Sequence, residues 1–188
     1  MNPERENASL YVGDLRKYVT EKMLYEKLSC VGLIDSIHIC RKSETKESLG
    51  YAYVNCRTKS DAERILKTMN YEYLKGKPMR IMWVEDDPAT KSHNGNLIIK
   101  NLHKGIDTRV LFDTFSYFGK IVSCKIPTDE QGRSKSYGFI QFETEEEANF
   151  TIEKVNGMLM LNKKVTVEKY KSRKKMRLKS QMTKHLRD

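Results

Sequence analysis

Two apolar periods alternate along this chain. Over Leu10–Asp14 and over SIHIC at 36–40, apolar side chains recur at every second residue, the period of a strand with one covered face. Between them, TEKMLYEKLSC places Met23, Leu24 and Leu28 at helical spacing, with Thr20 as the predicted N-cap and Gly32 as the predicted stop. A polar turn, KSETKE, leads into SLGYAYVNC at 48–56, read as a strand. KSDAERILKTMN then resumes the 3.6-residue period through Ala62, Ile65, Leu66 and Met69, and MRIMWV closes the run as a last strand.

The same series then occurs again. SLYVGDL at 9–15 matches NLIIKNL at 96–102, LGYAYVNC at 49–56 matches KSYGFIQF at 135–142, and LKTMN at 66–70 matches IEKVN at 152–156. KGKPMRIMWV at 75–84 matches NKKVTVEK at 162–169, and the offset stays at 86 or 87 residues. Two copies of one module explain the 188 residues better than one domain does. In the second copy the predicted elements are 96–101, Thr108–Tyr117, 120–127, 135–142, Glu145–Asn156 and 163–169.

The order strand, helix, strand, strand, helix, strand gives a four-stranded antiparallel sheet with both helices on one face. In SLGYAYVNC, the small apolar set Gly50, Ala52, Val54 and Cys56 then faces the helices. Leu49, Tyr51, Tyr53 and Asn55 face the uncovered side. Exposed rings on an open sheet are surfaces on which unpaired nucleic-acid bases stack. The first copy offers Tyr11, Tyr51 and Tyr53, with Trp83 on the edge strand as a fourth ring. The second offers Tyr137 and Phe139, with Ile98 at the first-strand position. Aromatic residues also stabilise sheets by cross-strand pairing without any ligand. Their recurrence at matched positions in both copies favours the ligand.

Charge sharpens this picture only at one end. The net charge is +10, yet residues 1–84 carry 15 basic and 11 acidic groups, residues 96–168 carry 10 of each, and the last twenty residues carry 9 and 1. The excess is a basic tail, KYKSRKKMRLKSQMTKHLRD, in which Leu178, Met182 and Leu186 fall four apart as a thin apolar stripe. It reads equally as a phosphate-binding or nuclear-import segment and as a solvated end. The linker EDDPATKSHNG is polar, acidic and broken by Pro88 and Gly95, which suits a tether between the two modules.

With 38% hydrophobic and 32% charged residues, and no apolar signal core in MNPERENASL, the composition predicts an intracellular protein with no membrane partner. Cys30, Cys40, Cys56 and Cys124 show no metal or redox spacing and sit in apolar settings, so buried free thiols are expected. His38, His93, His103 and His185 are scattered. Gly13 and Gly50 fall in strands, and Gly132 lies in the polar turn EQGRS. The chain is therefore expected to have no catalytic, metal or cofactor site.

ASLYVGDL, SLGYAYVN, KGKPMRIMW, IKNL, SCK, NGML and YKSRKK follow one another in an order and spacing similar to those of a known family. LYVGDL with LGYAYVNC, and LIIKNL with KSYGFIQF, resemble the six- and eight-residue motifs of the RNA recognition motif. As a set they resemble the first two such motifs of cytoplasmic poly(A)-binding proteins. The resemblance implies an α+β fold of two tandem ferredoxin-like βαββαβ domains at 8–84 and 96–170, a linker at 85–95 and a basic tail at 171–188. It implies single-stranded poly(A) RNA as partner, lying in a trough lined by Tyr11, Tyr51, Tyr53, Ile98, Tyr137 and Phe139. Lys100 and Asn101 would approach base edges or phosphate, with Met82, Trp83 and Lys169 on the edge strands. It further implies a monomer acting in mRNA stability or translation, in the cytoplasm and, through the basic tail, the nucleus. The outer helical face of the second module, with Asp107, Asp113 and the acids at 145–147, would meet a translation-initiation scaffold protein.

Several positions depart from the family pattern. Leu49 replaces a basic residue, Cys56 an aromatic one, Ser136 a glycine and Ile98 a phenylalanine. Glu85 stands where the family has Gln, and Asp87 falls near a basic position. An acid repels phosphate and cannot donate to adenine nitrogens. Weaker or less adenine-selective binding is therefore expected, and the alternative is a protein-interaction adaptor with decayed RNA binding.

Overall fold

The computed structural model describes residues 8–84 and 93–171. The acidic linker positions Glu85 and Asp87 and the apolar stripe of the tail lie outside them. No helix among the described residues is long and apolar enough to cross a membrane.

In the first module, β1 (Ala8–Gly13), α1 (Glu21–Leu28), β2 (Ile34–Arg41), β3 (Ser48–Cys56) and α2 (Lys59–Met69) follow in the predicted order. A hairpin of two-residue strands, β4 (Tyr73–Leu74) and β5 (Lys77–Pro78), then precedes β6 (Arg80–Trp83). The main sheet runs β2-β3-β1-β6. Its neighbours are antiparallel, with Leu10 opposite Val54 and Trp83, and Tyr11 opposite Tyr53 and Met82. Leu10, Val12, Ala52 and Val54 are fully buried against Leu24, Leu28, Ala62 and Ile65 of the two helices. One face of the sheet is therefore a core floor, and the other carries the tyrosines.

The second module repeats this with β7 (Asn96–Lys100), α3 (Thr108–Phe115), β8 (Ile121–Lys125), β9 (Tyr137–Phe142) and α4 (Glu145–Val155). The hairpin β10 (Leu159–Met160) and β11 (Lys163–Lys164) leads to β12 (Thr166–Lys169), and the sheet order is β12-β7-β9-β8. Leu97, Ile99, Ile140, Phe142 and Val167 are buried with Leu111, Phe115, Ala148 and Val155 of the helices.

Local devices recur with the repeat. Thr20, Thr58 and Thr144 cap α1, α2 and α4, each accepting from the backbone N–H three residues on. Glu147 completes a capping box with Thr144. Asn70 at the end of α2 accepts from the Ile81 amide at 2.8 Å, and Asn156 at the end of α4 accepts from the Val167 amide at 3.0 Å. This shared bond to the last strand accounts for the matched asparagines of LKTMN and IEKVN. Gly50 and Ser136 also correspond: both take left-handed backbone, at φ 81° and 60°, and their carbonyls accept from Leu15 and Leu102 at 2.9 Å. The serine carries a Cβ where the geometry favours glycine.

Three expectations are corrected. Helix α1 stops at Leu28, before Gly32; a Cβ on Gly32 would lie 2.8 Å from the Asp61 carbonyl, so this glycine allows close approach to α2 instead. Gly95 is part of the second module, because a Cβ there would meet the Phe142 carbonyl at 2.3 Å. Of the cysteines, Cys56 and Cys124 are buried, whereas Cys30 is exposed and Cys40 is partly so.

Candidate nucleic-acid interface

Strand parity on β1 and β3 brings the three predicted tyrosines together on the helix-free face. Tyr11 stacks on Tyr51 with ring centroids 5.5 Å apart and planes at 27°, and Tyr53 meets both edge-on at 6.3 and 6.0 Å. Mutual packing half-buries Tyr11 and Tyr51, and Tyr53 remains 38% exposed. Gly13 makes room for this cluster, since a Cβ there would come within 2.6 Å of the Tyr11 ring. Burial raises the Tyr11 phenol above its ordinary value, and Cys40 alongside raises that of Tyr51. Both rings are neutral at physiological pH and available for stacking.

A basic edge adjoins the rings. The Arg80 guanidinium lies 5.6 Å from the Tyr11 ring centroid and its Nε is 3.6 Å from Asp14. The Nε atoms of Arg80 and Arg16 are buried and lack hydrogen-bond partners. Burial, and then Arg16, lower the Lys77 ammonium below its usual range, with Asp14 opposing them. Arg80 and Lys77 thus place positive charge near Asp14 beside the ring platform, where an RNA phosphate can be met. Sequence reading missed Arg16, Lys77 and Arg80 as a group. The signal was there in their sites just beyond β1 and around β6, but only the fold brings them together.

On the other side of the platform, Ser9 donates to Asn55 at 2.7 Å and Asn55 donates to Ser36 at 2.8 Å, with His38 exposed opposite Tyr53. This gives the rings a polar border.

Two edge-strand expectations are corrected by parity. Met82 pairs with Tyr11 on the ring face, so Trp83 points to the covered face and packs against the first core. It adds no fourth ring to the open face. Lys169 pairs with Leu97 and likewise points to the helix side, where its ammonium holds Glu145 at the start of α4. The two positions are equivalents in the repeat.

In the second module Tyr137 and Phe139 stand edge-to-face at 5.6 Å, with Lys100 opposite Tyr137 and Ile98 opposite Phe139. A third ring, unforeseen from sequence, joins them: Tyr170 packs edge-on to Phe139 at 4.9 Å and is 40% exposed. Its amide donates to the Asn96 carbonyl at 2.8 Å, so it extends the ladder of β12 beyond Lys169. The ring missing at Ile98 is therefore offset at the sheet edge. Lys100 is on the open face, 2.7 Å from Glu168. Asn101 is not directed at a ligand: it has left-handed backbone and its side-chain Nδ2 donates to the Lys164 carbonyl at 2.9 Å.

Across the helical face of this module the acids have internal duties. Asp107 accepts from the Val110 amide at 2.9 Å, Asp113 pairs with Arg109 at 2.9 Å, and Glu147 accepts from the Lys120 amide at 3.0 Å. Aromatic side chains are exposed there as well. Tyr117 (89% exposed) meets Phe118 at 5.7 Å, and Phe118 meets Phe150 at 6.3 Å.

Comparison with known proteins agrees with this geometry. The sequence model of the RNA recognition motif matches residues 10–80 and 97–166, and the chain belongs to that family as a tandem pair. RNA binding is the activity that this family assignment carries. Similar solved structures include a Sex-lethal protein–RNA complex, at 27% identity over 88% of this chain and all of that one, with a TM-score of 0.44. The two RNA recognition domains of Drosophila melanogaster Sex-lethal match at 28% identity over 87% of this chain and all of theirs, with a TM-score of 0.41. The first two such domains of a yeast poly(U)-binding protein match at 25% identity over 87% of this chain and 99% of theirs, with a TM-score of 0.40.

Proposed function

We propose that this chain binds single-stranded, A-rich messenger RNA on its two ring faces and acts in mRNA stability or translation. The carrying observation is the Tyr11–Tyr51–Tyr53 cluster, three rings held together on a face that the helices leave open. Bases stack on such rings when no complementary strand competes. The adenine preference rests on the resemblance of the motifs around these rings to those of poly(A)-binding proteins. Titration of the chain with a twelve-nucleotide oligo(A), oligo(U) and the deoxy analogue of oligo(A), at two salt concentrations, tests it. Micromolar, A-selective binding that weakens in Tyr51→Ala supports the proposal. Folded protein that binds none of the three sinks it.

A second reading, an adaptor that holds a translation-initiation scaffold protein, is favoured by the exposed Tyr117–Phe118–Phe150 cluster on the helical face. Aromatic residues exposed on a surface are common interaction anchors. Under this reading Tyr117→Ala abolishes scaffold binding and leaves oligonucleotide binding untouched. If scaffold binding is insensitive to that change, the reading falls.

A further inference from the structure

One acid stands on the open face of the second sheet with no structural duty in the core. Glu168 projects from β12 between the rings and the sheet edge, and its carboxylate lies 2.7 Å from the Lys100 ammonium across the sheet. Both side chains are about half exposed, at 51% and 48%. An unpaired carboxylate there would repel RNA; a paired one presents a fixed pattern of hydrogen-bonding groups. Lys100 offers a donor, and the two Glu168 oxygens offer two acceptors beside it.

Donor, acceptor, acceptor is the series displayed by the pairing edge of cytosine, and its complement is guanine. Guanine O6 accepts from Lys100, while N1–H and N2–H donate to the two carboxylate oxygens, one charged fork against two parallel donors. The placement suits it. Ile98 separates Glu168 from Phe139 in the register, so Phe139 and Glu168 are two strand spacings apart, about 10 Å. A base lying over Phe139 and Ile98 carries its edge to the ion pair.

We infer that the Lys100–Glu168 pair reads a guanine at one position of the bound RNA. This inference rests on the proposal that RNA lies on the ring faces, and it names the base at one subsite. The other bases fit less well. The pairing edge of cytosine repeats the same series and mismatches throughout. Uracil turns its second carbonyl toward a carboxylate oxygen. Adenine satisfies two of the three groups, and only through N7 and the N6 amino group. The second module thus tolerates adenine and prefers guanine, consistent with an A-rich rather than a pure poly(A) target.

The test compares the full chain and Glu168→Gln on a twelve-nucleotide oligo(A) and on oligomers carrying one guanosine, or one inosine, in the central positions. Glutamine keeps the size of the side chain but replaces one acceptor with a donor, and the exposed site tolerates it. For the unmodified chain, one guanosine position should bind about five- to tenfold tighter than oligo(A), the low end for a bidentate pair because this one is half exposed. Inosine, lacking the N2 amino group, should fall between. Glu168→Gln should erase the guanosine preference while retaining oligo(A) binding. Binding of oligo(A) with no guanosine preference overturns the inference and leaves the RNA reading standing, as does a preference that survives Glu168→Gln. Folded protein that binds no oligomer overturns both.

Discussion

Replacing Tyr51 by alanine removes the ring that Tyr11 stacks upon and that Tyr53 meets edge-on. Two separate costs follow. Loss of the ring–ring contacts weakens the fold by about 0.5–1.5 kcal/mol per pair, beyond the loss of buried area. A domain with a stability of about 5–15 kcal/mol survives that. Loss of one base stack weakens RNA binding by about 1–3 kcal/mol, or about 5- to 150-fold. Fluorescence anisotropy with labelled oligo(A), alongside circular dichroism of the same sample, separates the two. Because the ring touches no phosphate in this reading, the slope of log affinity against log salt should not change. Trp83→Ala is the internal control. This side chain packs on the core, so its loss should lower stability and leave affinity per folded molecule intact. A folded Tyr51→Ala protein with unchanged affinity would refute the stacking argument; so would a reduction confined to the salt slope.

Four further outcomes follow from the geometry. Gly13→Ala forces the Tyr11 ring, 2.6 Å from the added methyl, out of its stack with Tyr51; oligonucleotide affinity should fall severalfold and the thermal midpoint by a few degrees, about the loss of one ring–ring contact. Arg80→Gln removes one cation beside Tyr11, and the salt slope measured by titration should drop by about one unit. The Asp61 carboxyl is held below its ordinary range, first by the Thr58 hydroxyl and then by the Leu33 amide and Arg64, against the opposing effect of burial. Its stabilisation is therefore complete above the unfolded value of about 3.9 and is lost as pH falls through the lower folded value. Urea melts at pH 6 and in the acid range should show that limb, and Asp61→Asn should flatten it while reducing stability at pH 6. Ser136→Gly relieves a side chain at φ 60°; calorimetry should show a gain of at most about 1 kcal/mol, since glycine also loosens the unfolded chain.

The repeat made the fold legible. An offset of 86 or 87 residues and two apolar periods, with Thr20 as one legible cap, located both main sheets and the four α-helices of the described residues. The rings of β1, β3 and β9 were equally readable, because period two assigns each residue of a regular strand to a face. Trp83 and Lys169 show the limit of reading by residue type. An aromatic and a cation on edge strands look like ligand contacts, but pairing with Leu10 and Leu97 turns both toward the helices. Neither two-residue hairpin was foreseen; in β10–β11 Leu161 and Asn162 adopt left-handed backbone, at φ 46° and 62°, without glycine to announce the turn. Its counterpart in the first module carries Gly76 at the turn. Tyr170 was hidden because the strand pattern ends at Lys169, and only its bond to Asn96 shows that the ladder continues.

That bond also decides where the chain departs from the second module. With the Tyr170 amide tied to Asn96 and its ring on Phe139, the chain stays fixed to the sheet edge as far as Tyr170. Whatever follows is tethered within a few residues of the docking platform, at an effective concentration set by a very short leash. Seven lysines and arginines between 173 and 188 share that leash, and a polyanion captured by the rings would meet them as an intramolecular partner rather than as a stranger in solution.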